Sequence, residues 1–93
     1  MGGRGSAGLR VTMQEMKDLQ KAVTRAKAQE TRTKRVFDTA MGGVYSAGWD
    51  TDNQRRQQDR AAAAREKYLK AKEDRERAEK RLDDATKRYR RQR

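Results

Sequence analysis

Apolar residues recur in alternate steps of three and four along two stretches of this chain. The C-terminal stretch, residues 54–93, has neither glycine nor proline, and its apolar stripe is interrupted at Arg75. Four alanines mark this stripe at every seventh residue: Ala64, Ala71, Ala78 and Ala85. A single narrow apolar stripe is typical of a coiled-coil helix rather than of a helix half sunk in a globular core. The pattern therefore predicts one long helix with a thin seam.

A second stripe with the same spacing runs through the N-terminal half of the chain. Its members are Met16, Leu19, Val23, Ala26, Glu30, Thr33, Phe37 and Ala40. Thr12 and Glu15 form a capping box in front of the stripe, which predicts that a helix begins at this point. The stripe is apolar at both ends and polar at Glu30 and Thr33. We expect this polar interruption to set the register against a partner helix, as polar seam residues do in coiled coils.

The two stripes are separated by residues 42–51, a segment without Lys or Arg. Gly42 and Gly43 are suited to ending the first helix. Thr51 with Gln54 predicts a second capping box, at the start of the second helix. The segment is therefore predicted to be the turn of a helical hairpin.

The aromatic residues of this turn fit two interpretations. In the first, Val44, Tyr45 and Trp49 fold back against Phe37 and close the end of the hairpin. In the second, the aromatic side chains are exposed and dock a protein partner, since Trp and Tyr contribute strongly to interface energies. Tyr45, Trp49 and Leu69, which lies off the seam, are accordingly the candidates for a protein interface.

Together the stripes predict an all-α fold, an antiparallel two-helix hairpin of the coiled-coil type. The expected organisation is a flexible Gly-rich leader at residues 1–11, helix one at 12–41, a turn at 42–51 and a long helix two at 52–93. Such a thin seam with polar layers in its middle gives a lone hairpin only marginal stability. We therefore expect either homodimerisation into a four-helix bundle or dependence on a partner.

The position of the turn also predicts which residues face each other. A turn centred near Ala47 places Tyr68 opposite Ala26 and Arg75 opposite Leu19. The end of helix two then extends past the start of helix one. The residues from Tyr89 onward are therefore predicted to overhang.

Charge adds an indication of function to this fold. The 93 residues include 25 Lys or Arg and 14 acids, for a net charge of +11. The last turns of helix two hold five bases and no acid: Lys87, Arg88, Arg90, Arg91 and Arg93. Bases at a helix C-terminus complement the helix dipole, but five of them exceed what that role needs. We therefore predict an anionic partner.

Nucleic acid is the anionic partner that this distribution favours. A basic helix lays Lys and Arg along phosphates, in a contact that is independent of base sequence and sensitive to salt. Acids interleave with the bases from Glu66 to Asp84, so we expect the contact near the two ends of helix two. The predicted contact residues are Arg55, Arg56, Arg60, Arg65, Lys87, Arg88, Arg90, Arg91 and Arg93.

The inventory of side chains argues against an enzyme. The chain has no histidine, no cysteine and no Gly-rich loop followed by Lys-Ser or Lys-Thr. Asp50, Asp52 and Asn53 lack the remaining ligands and the spacing of a calcium loop. No apolar run approaches the roughly 18 residues of a membrane span. We expect no catalytic residue, metal, cofactor, small-molecule substrate or membrane partner, and a cytoplasmic location.

The opening Met-Gly-Gly-Arg-Gly-Ser, residues 1–6, resembles the glycine-serine leader of many small phage and prophage proteins. The resemblance implies a phage-encoded accessory protein that acts in the cytoplasm of the host cell. Small phage-encoded helical proteins include inhibitors of CRISPR effector nucleases. A nucleoprotein enzyme, gripped through its guide RNA or an acidic protein face, therefore joins nucleic acid among the expected partners.

Two functions from different classes fit these observations. The first is a basic accessory protein that binds nucleic acid or a nucleoprotein enzyme and inhibits it. The second is a structural coiled-coil component that binds itself or another helical protein. Binding should weaken steeply with salt in the first case and hardly at all in the second.

Overall fold

The computed structural model describes residues 10–92. Within this range the chain forms two α-helices, α1 (Met13–Ser46) of 34 residues and α2 (Thr51–Arg91) of 41 residues, and no strand. The helices pack against each other as an antiparallel pair. The all-α helical hairpin predicted from the two stripes is therefore confirmed. Most of the predicted Gly-rich leader lies outside the described residues.

α1 begins at the predicted cap. The amide of Glu15 donates to Thr12 Oγ1 at 3.1 Å, and the amide of Met16 donates to the Thr12 carbonyl at 3.1 Å. The hydroxyl thus satisfies one of the amides that a helix N-terminus leaves without a partner. Val11, the residue before the cap, is buried.

α1 does not end at Gly42 and Gly43, as predicted, but continues to Ser46. Each glycine inside a helix costs about 1 kcal/mol relative to alanine. The extra turn offsets this cost because Val44 packs against a buried cluster of alanines between the helices. Gly43 also leaves room for the side chain of Gln57, whose Oε1 would lie 2.5 Å from a Cβ at this position.

The turn itself is shorter than predicted and occupies residues 47–50. Gly48 has a φ of +63°, in the left-handed region that favours glycine, and is the residue that redirects the chain after α1. Asp50, rather than the predicted Thr51, caps α2, because its Oδ1 accepts the amide hydrogen of Asn53 at 3.1 Å.

The different roles of the glycines lead to opposite expected effects of alanine substitution. Gly42→Ala should raise the free energy of unfolding by about 0.5–1 kcal/mol, because the site is helical and a Cβ would meet nothing within 4 Å. Gly48→Ala should lower it by about 1 kcal/mol, because its φ is positive. Urea denaturation followed by circular dichroism measures both. A loss of stability in Gly42→Ala would contradict a helix that runs through residue 42.

The predicted seam is the buried contact between the helices. Its buried residues are Val23, Thr33 and Ala40 of α1 and Ala61, Ala64, Ala71 and Ala85 of α2. Near the turn, the larger side chains of Phe37, Met41 and Val44 pack against the buried alanines. Small residues on α2 therefore face larger ones on α1, which lets the two helix axes approach closely.

The predicted register along this seam was wrong. Tyr68 stacks on Phe37 with ring centroids 6.1 Å apart, and Arg75 pairs with Glu30. The partners predicted for them lie about three helical turns earlier in α1, at Ala26 and Leu19. Displacing one helix by a whole number of turns, here about three, keeps the two apolar stripes facing each other, so the pattern alone does not distinguish the registers. Two contacts mark the register that forms, the stack of Phe37 on Tyr68 and the ion pair of Glu30 with Arg75.

The polar interruptions of the two stripes meet in the middle of the hairpin. Arg75 Nε donates to Glu30 Oε2 at 2.7 Å, and Arg75 Nη1 donates to Glu79 Oε2 at 3.2 Å. The hydrogen bond to Glu30, more than the one to Glu79, raises the pKa of Arg75 above its ordinary value. Thr33 Oγ1 donates to the carbonyls of Gln29 and Glu30 at 2.8 and 3.0 Å. This arrangement fits a role in register, since only the observed alignment joins Arg75 to Glu30.

Candidate nucleic-acid interface

The basic end of α2 does not overhang α1, contrary to the prediction. Gln92 Oε1 accepts a hydrogen bond from the amide of Val11, and Gln92 Nε2 donates to the Val11 carbonyl at 2.9 Å. These two bonds tie the end of α2 to the residue just before the cap of α1. The described bases at this end, called the basic tip below, are Lys87, Arg88, Arg90 and Arg91; Arg93 lies outside the described residues.

Two members of the basic tip have acidic neighbours. Lys87 Nζ lies 3.2 Å from Asp83 Oδ2, one helical turn earlier. Arg88 lines a shallow depression between the helices together with Glu15 and Asp84. These neighbours reduce the positive potential on one part of the tip.

The other two members have no such neighbour. Arg90 and Arg91 are exposed, and neither has a carboxylate oxygen within 4.0 Å among residues 10–92. Arg10 is also exposed and directly precedes Val11, so it lies at the same end of the hairpin. Besides Arg88, the end thus presents three exposed guanidinium groups, contributed by both ends of the described chain.

The arginines predicted as contacts at the start of α2 do not form one surface. All four are exposed: Arg55, Arg56, Arg60 and Arg65. Arg60 borders the seam on the side of Val36, whereas Arg65 borders it on the side of Met41. At 3.6 residues per turn, Arg55 points away from α1. The hairpin therefore divides this part of the predicted site between its two sides.

α1 carries a basic surface that a sum of charges over each segment does not reveal. Between Asp18 and Asp38 the helix has one acid, Glu30, which turns inward to Arg75. The exposed bases of this interval that point away from α2, called the α1 face below, are Lys21, Arg25, Arg32 and Arg35. Sorting the charges by helix face instead of by segment would have found this surface in the sequence.

The aromatic residues of the hairpin's closed end are exposed. Trp49 is 100% and Tyr45 is 79% accessible to solvent, and Phe37 stacks on Tyr68 instead of on either of them. Of the segment predicted to fold back, only Val44 packs into the interface between the helices. The aromatic pair lies about 60 Å from the basic tip, because the 41 residues of α2 separate the two ends.

Three apolar side chains off the seam are exposed as well. They are Met13 at 56%, Val36 at 59% and Leu69 at 40%. Met13 begins α1, Val36 lies in its last third and Leu69 lies near the middle of α2. Val36 and Leu69 adjoin the stacked Phe37 and Tyr68 and so lie at one level of the hairpin, whereas Met13 lies at the start of α1; the three do not form one continuous apolar stripe.

The described residues also bear on other kinds of site. No group of three acidic side chains between residues 10 and 92 is arranged to hold a metal ion. Neither α1 nor α2 contains a stretch apolar enough to cross a bilayer. Comparison of the chain with known protein families, with curated proteins and with solved structures gives no significant match.

Proposed function

We propose that this protein is a non-enzymatic binding protein whose basic tip contacts nucleic acid. The observation that carries the proposal concerns Arg90 and Arg91: both are exposed, have no carboxylate oxygen within 4.0 Å among residues 10–92, and lie at the same end of the hairpin as Arg10. Guanidinium groups bind phosphates in two-point contacts, and their charge is retained at all physiological pH values. Contacts of this type release counterions from the nucleic acid and are therefore salt-dependent.

The proposal extends to a nucleoprotein enzyme as the target in the cell. A hairpin that occupies RNA or DNA phosphates competes with an enzyme that needs the same phosphates. Inhibition of a CRISPR effector by a phage-encoded protein in the cytoplasm of its host is one form of this activity. The net charge of +11 supports it, because such a charge attracts nucleoprotein complexes at long range.

The second candidate function is structural assembly. The exposed Met13, Val36 and Leu69 favour it, because a second copy or another helical protein would remove them from water. So does the exposed aromatic pair of the closed end, since Trp and Tyr are frequent anchors of protein interfaces.

A variant of the basic tip tests the first function. Arg88→Gln, Arg90→Gln and Arg91→Gln together should weaken binding to labelled nucleic acid roughly tenfold or more in low salt, because up to three phosphate contacts are lost. The slope of log affinity against log salt should become shallower by up to ~2.7. Fluorescence anisotropy across a salt series measures both quantities.

The matched control is Lys70→Gln, Lys72→Gln and Lys80→Gln, which removes the same charge from exposed positions in the middle of α2. Equal losses in the two variants would show that only net charge matters and would contradict a contact at the tip. Absence of binding by the unchanged protein would remove the first function. A dimer in sedimentation whose stability does not depend on salt would then support assembly.

A further inference from the structure

We infer that the α1 face is a second phosphate-binding surface, and that its ligand is the backbone of a nucleic-acid double helix. This inference rests on the proposed function and names a surface and a ligand that the basic tip does not define. The α1 face lies on the solvent side of the hairpin, where Lys21, Arg25, Arg32 and Arg35 are all exposed.

The first support is the absence of carboxylates from this surface. Six bases occupy α1 between Asp18 and Asp38, against one acid, Glu30. Glu30 Oε2 is 2.7 Å from Arg75 Nε, in the interface between the helices. Lys27, which lies closer to the seam, reaches toward Glu79 at 4.0 Å. The contact with α2 thus removes the only acid of this interval from the outer surface.

The second support is that the bases of the α1 face are free to bind. Among the residues that the structure describes, none of the four has a carboxylate oxygen within 4.0 Å. Arg32 Nη2 donates to the neutral side chain of Gln29 at 2.9 Å, which leaves its charge uncompensated. Ionic contact with phosphates therefore needs no existing ion pair to break.

The third support is the shape of the surface. Between Arg25 and Arg32 the outward positions are occupied by Ala28 and Thr31. Thr31 Oγ1 donates to the Lys27 carbonyl at 3.0 Å, so its hydroxyl is turned toward the helix backbone. The long side chains of Arg25 and Arg32 thus flank a shallow stretch of short side chains, along which a phosphodiester backbone can lie.

The dimensions fit a short piece of duplex. Lys21 and Arg35 are separated by about 21 Å along α1 at 1.5 Å per residue. A duplex carries one phosphate charge per ~1.7 Å of its axis, so this length faces about six base pairs. The four basic side chains of the α1 face therefore meet more phosphates than they can neutralise. Each of these side chains can thus pair with a phosphate.

The absence of stacking groups separates a duplex from a single strand as the ligand. Proteins that bind single strands without sequence preference stack the bases on aromatic side chains. The α1 face between Lys21 and Arg35 contains no aromatic residue, and the next aromatic along α1, Phe37, is turned inward onto Tyr68. A double helix, whose bases are already stacked on each other, needs only phosphate contacts.

The test compares two variants of equal charge. The first carries Lys21→Gln, Arg25→Gln, Arg32→Gln and Arg35→Gln; the second carries Lys70→Gln, Lys72→Gln, Arg77→Gln and Lys80→Gln on α2. Both are measured by anisotropy across a salt series against duplex DNA, duplex RNA and the single strands of the same sequences. The two duplexes distinguish DNA from RNA as the source of the phosphates. Circular dichroism verifies that both variants remain helical.

We expect the unchanged protein to bind duplex more tightly than single strands. The first variant should show a duplex salt slope shallower by up to ~3.6, and the second should change it much less. Equal slopes in the two variants, or tighter binding of single strands, would overturn the inference. If binding is lost only in the basic-tip variant, the proposed function stands and this inference is wrong. No binding by the unchanged protein overturns both.

Discussion

Replacing Ala64 with glutamate is expected to lower the free energy of unfolding by about 3 kcal/mol. Ala64 is 6% exposed and belongs to the cluster of buried alanines between the helices. A carboxylate at this position is removed from water, and Arg75, the base described in the seam, lies about three helical turns away and is already paired with Glu30. The charge therefore favours separation of the helices.

The neighbouring Ala63→Glu is the matched control, because Ala63 is exposed on the same helix. Both changes introduce the same residue, with the same helix propensity and the same effect on net charge. Urea denaturation followed by circular dichroism should show a change of less than about 0.5 kcal/mol for Ala63→Glu. Similar losses at the two positions would contradict the placement of Ala64 in the seam.

Phe37→Ala is expected to lower the free energy of unfolding by a similar amount, about 3 kcal/mol. The ring packs against the buried alanine cluster and stacks on Tyr68 at an interplanar angle of 14°. Truncation removes this apolar contact and leaves a gap between the helices near the turn. The loss lies at the lower end for phenylalanine because the side chain is only half-buried.

Tyr45→Ala gives the comparison for Phe37→Ala, since it removes an aromatic ring from the same helix at a position that is 79% exposed. Its effect on the urea midpoint should be small. If Tyr45→Ala proved as damaging as Phe37→Ala, the tyrosine would have to be buried in solution, either against the hairpin or in an assembly of several copies.

Several features of this fold follow from local chemistry and were predictable from the sequence. Alanines at every seventh residue fix which side of α2 is buried, because the helical period leaves no other face for them. The Thr12 cap depends only on a hydroxyl three residues before the amide that it accepts from. Such signals are contained within a few residues.

The features that were predicted wrongly depend on residues distant in sequence. Gly42 and Gly43 resemble a helix stop when α1 is considered alone, but packing of Val44 against α2 extends the helix past them. The register depends on which side chains pair across the seam, such as Glu30 with Arg75, and the repeating stripe does not determine it. Because the register was misplaced, Gln92 was predicted to extend beyond α1 instead of bonding Val11.

The candidate site, like the fold, was predictable only in part from the sequence. Arg90 and Arg91 stand out in sequence because no acid lies near them along the chain. The α1 face does not stand out, since Glu30 reduces the summed charge of its segment. Because Glu30 belongs to the seam stripe, sorting the charges by helix face already removes it from the outer surface; the structure adds its partner, Arg75, which requires the correct register.

The single turn that joins the helices also constrains the order of folding. Arg75 and Glu30 are 45 residues apart in sequence, and Val11 and Gln92 are 81 apart. Closing such a loop directly is entropically unfavourable, whereas closure of the layers nearer the turn brings the next pair together. We therefore expect the hairpin to form from residues 47–50 toward the opposite end. We likewise expect the contact between Val11 and Gln92 to open before the layers nearer the turn.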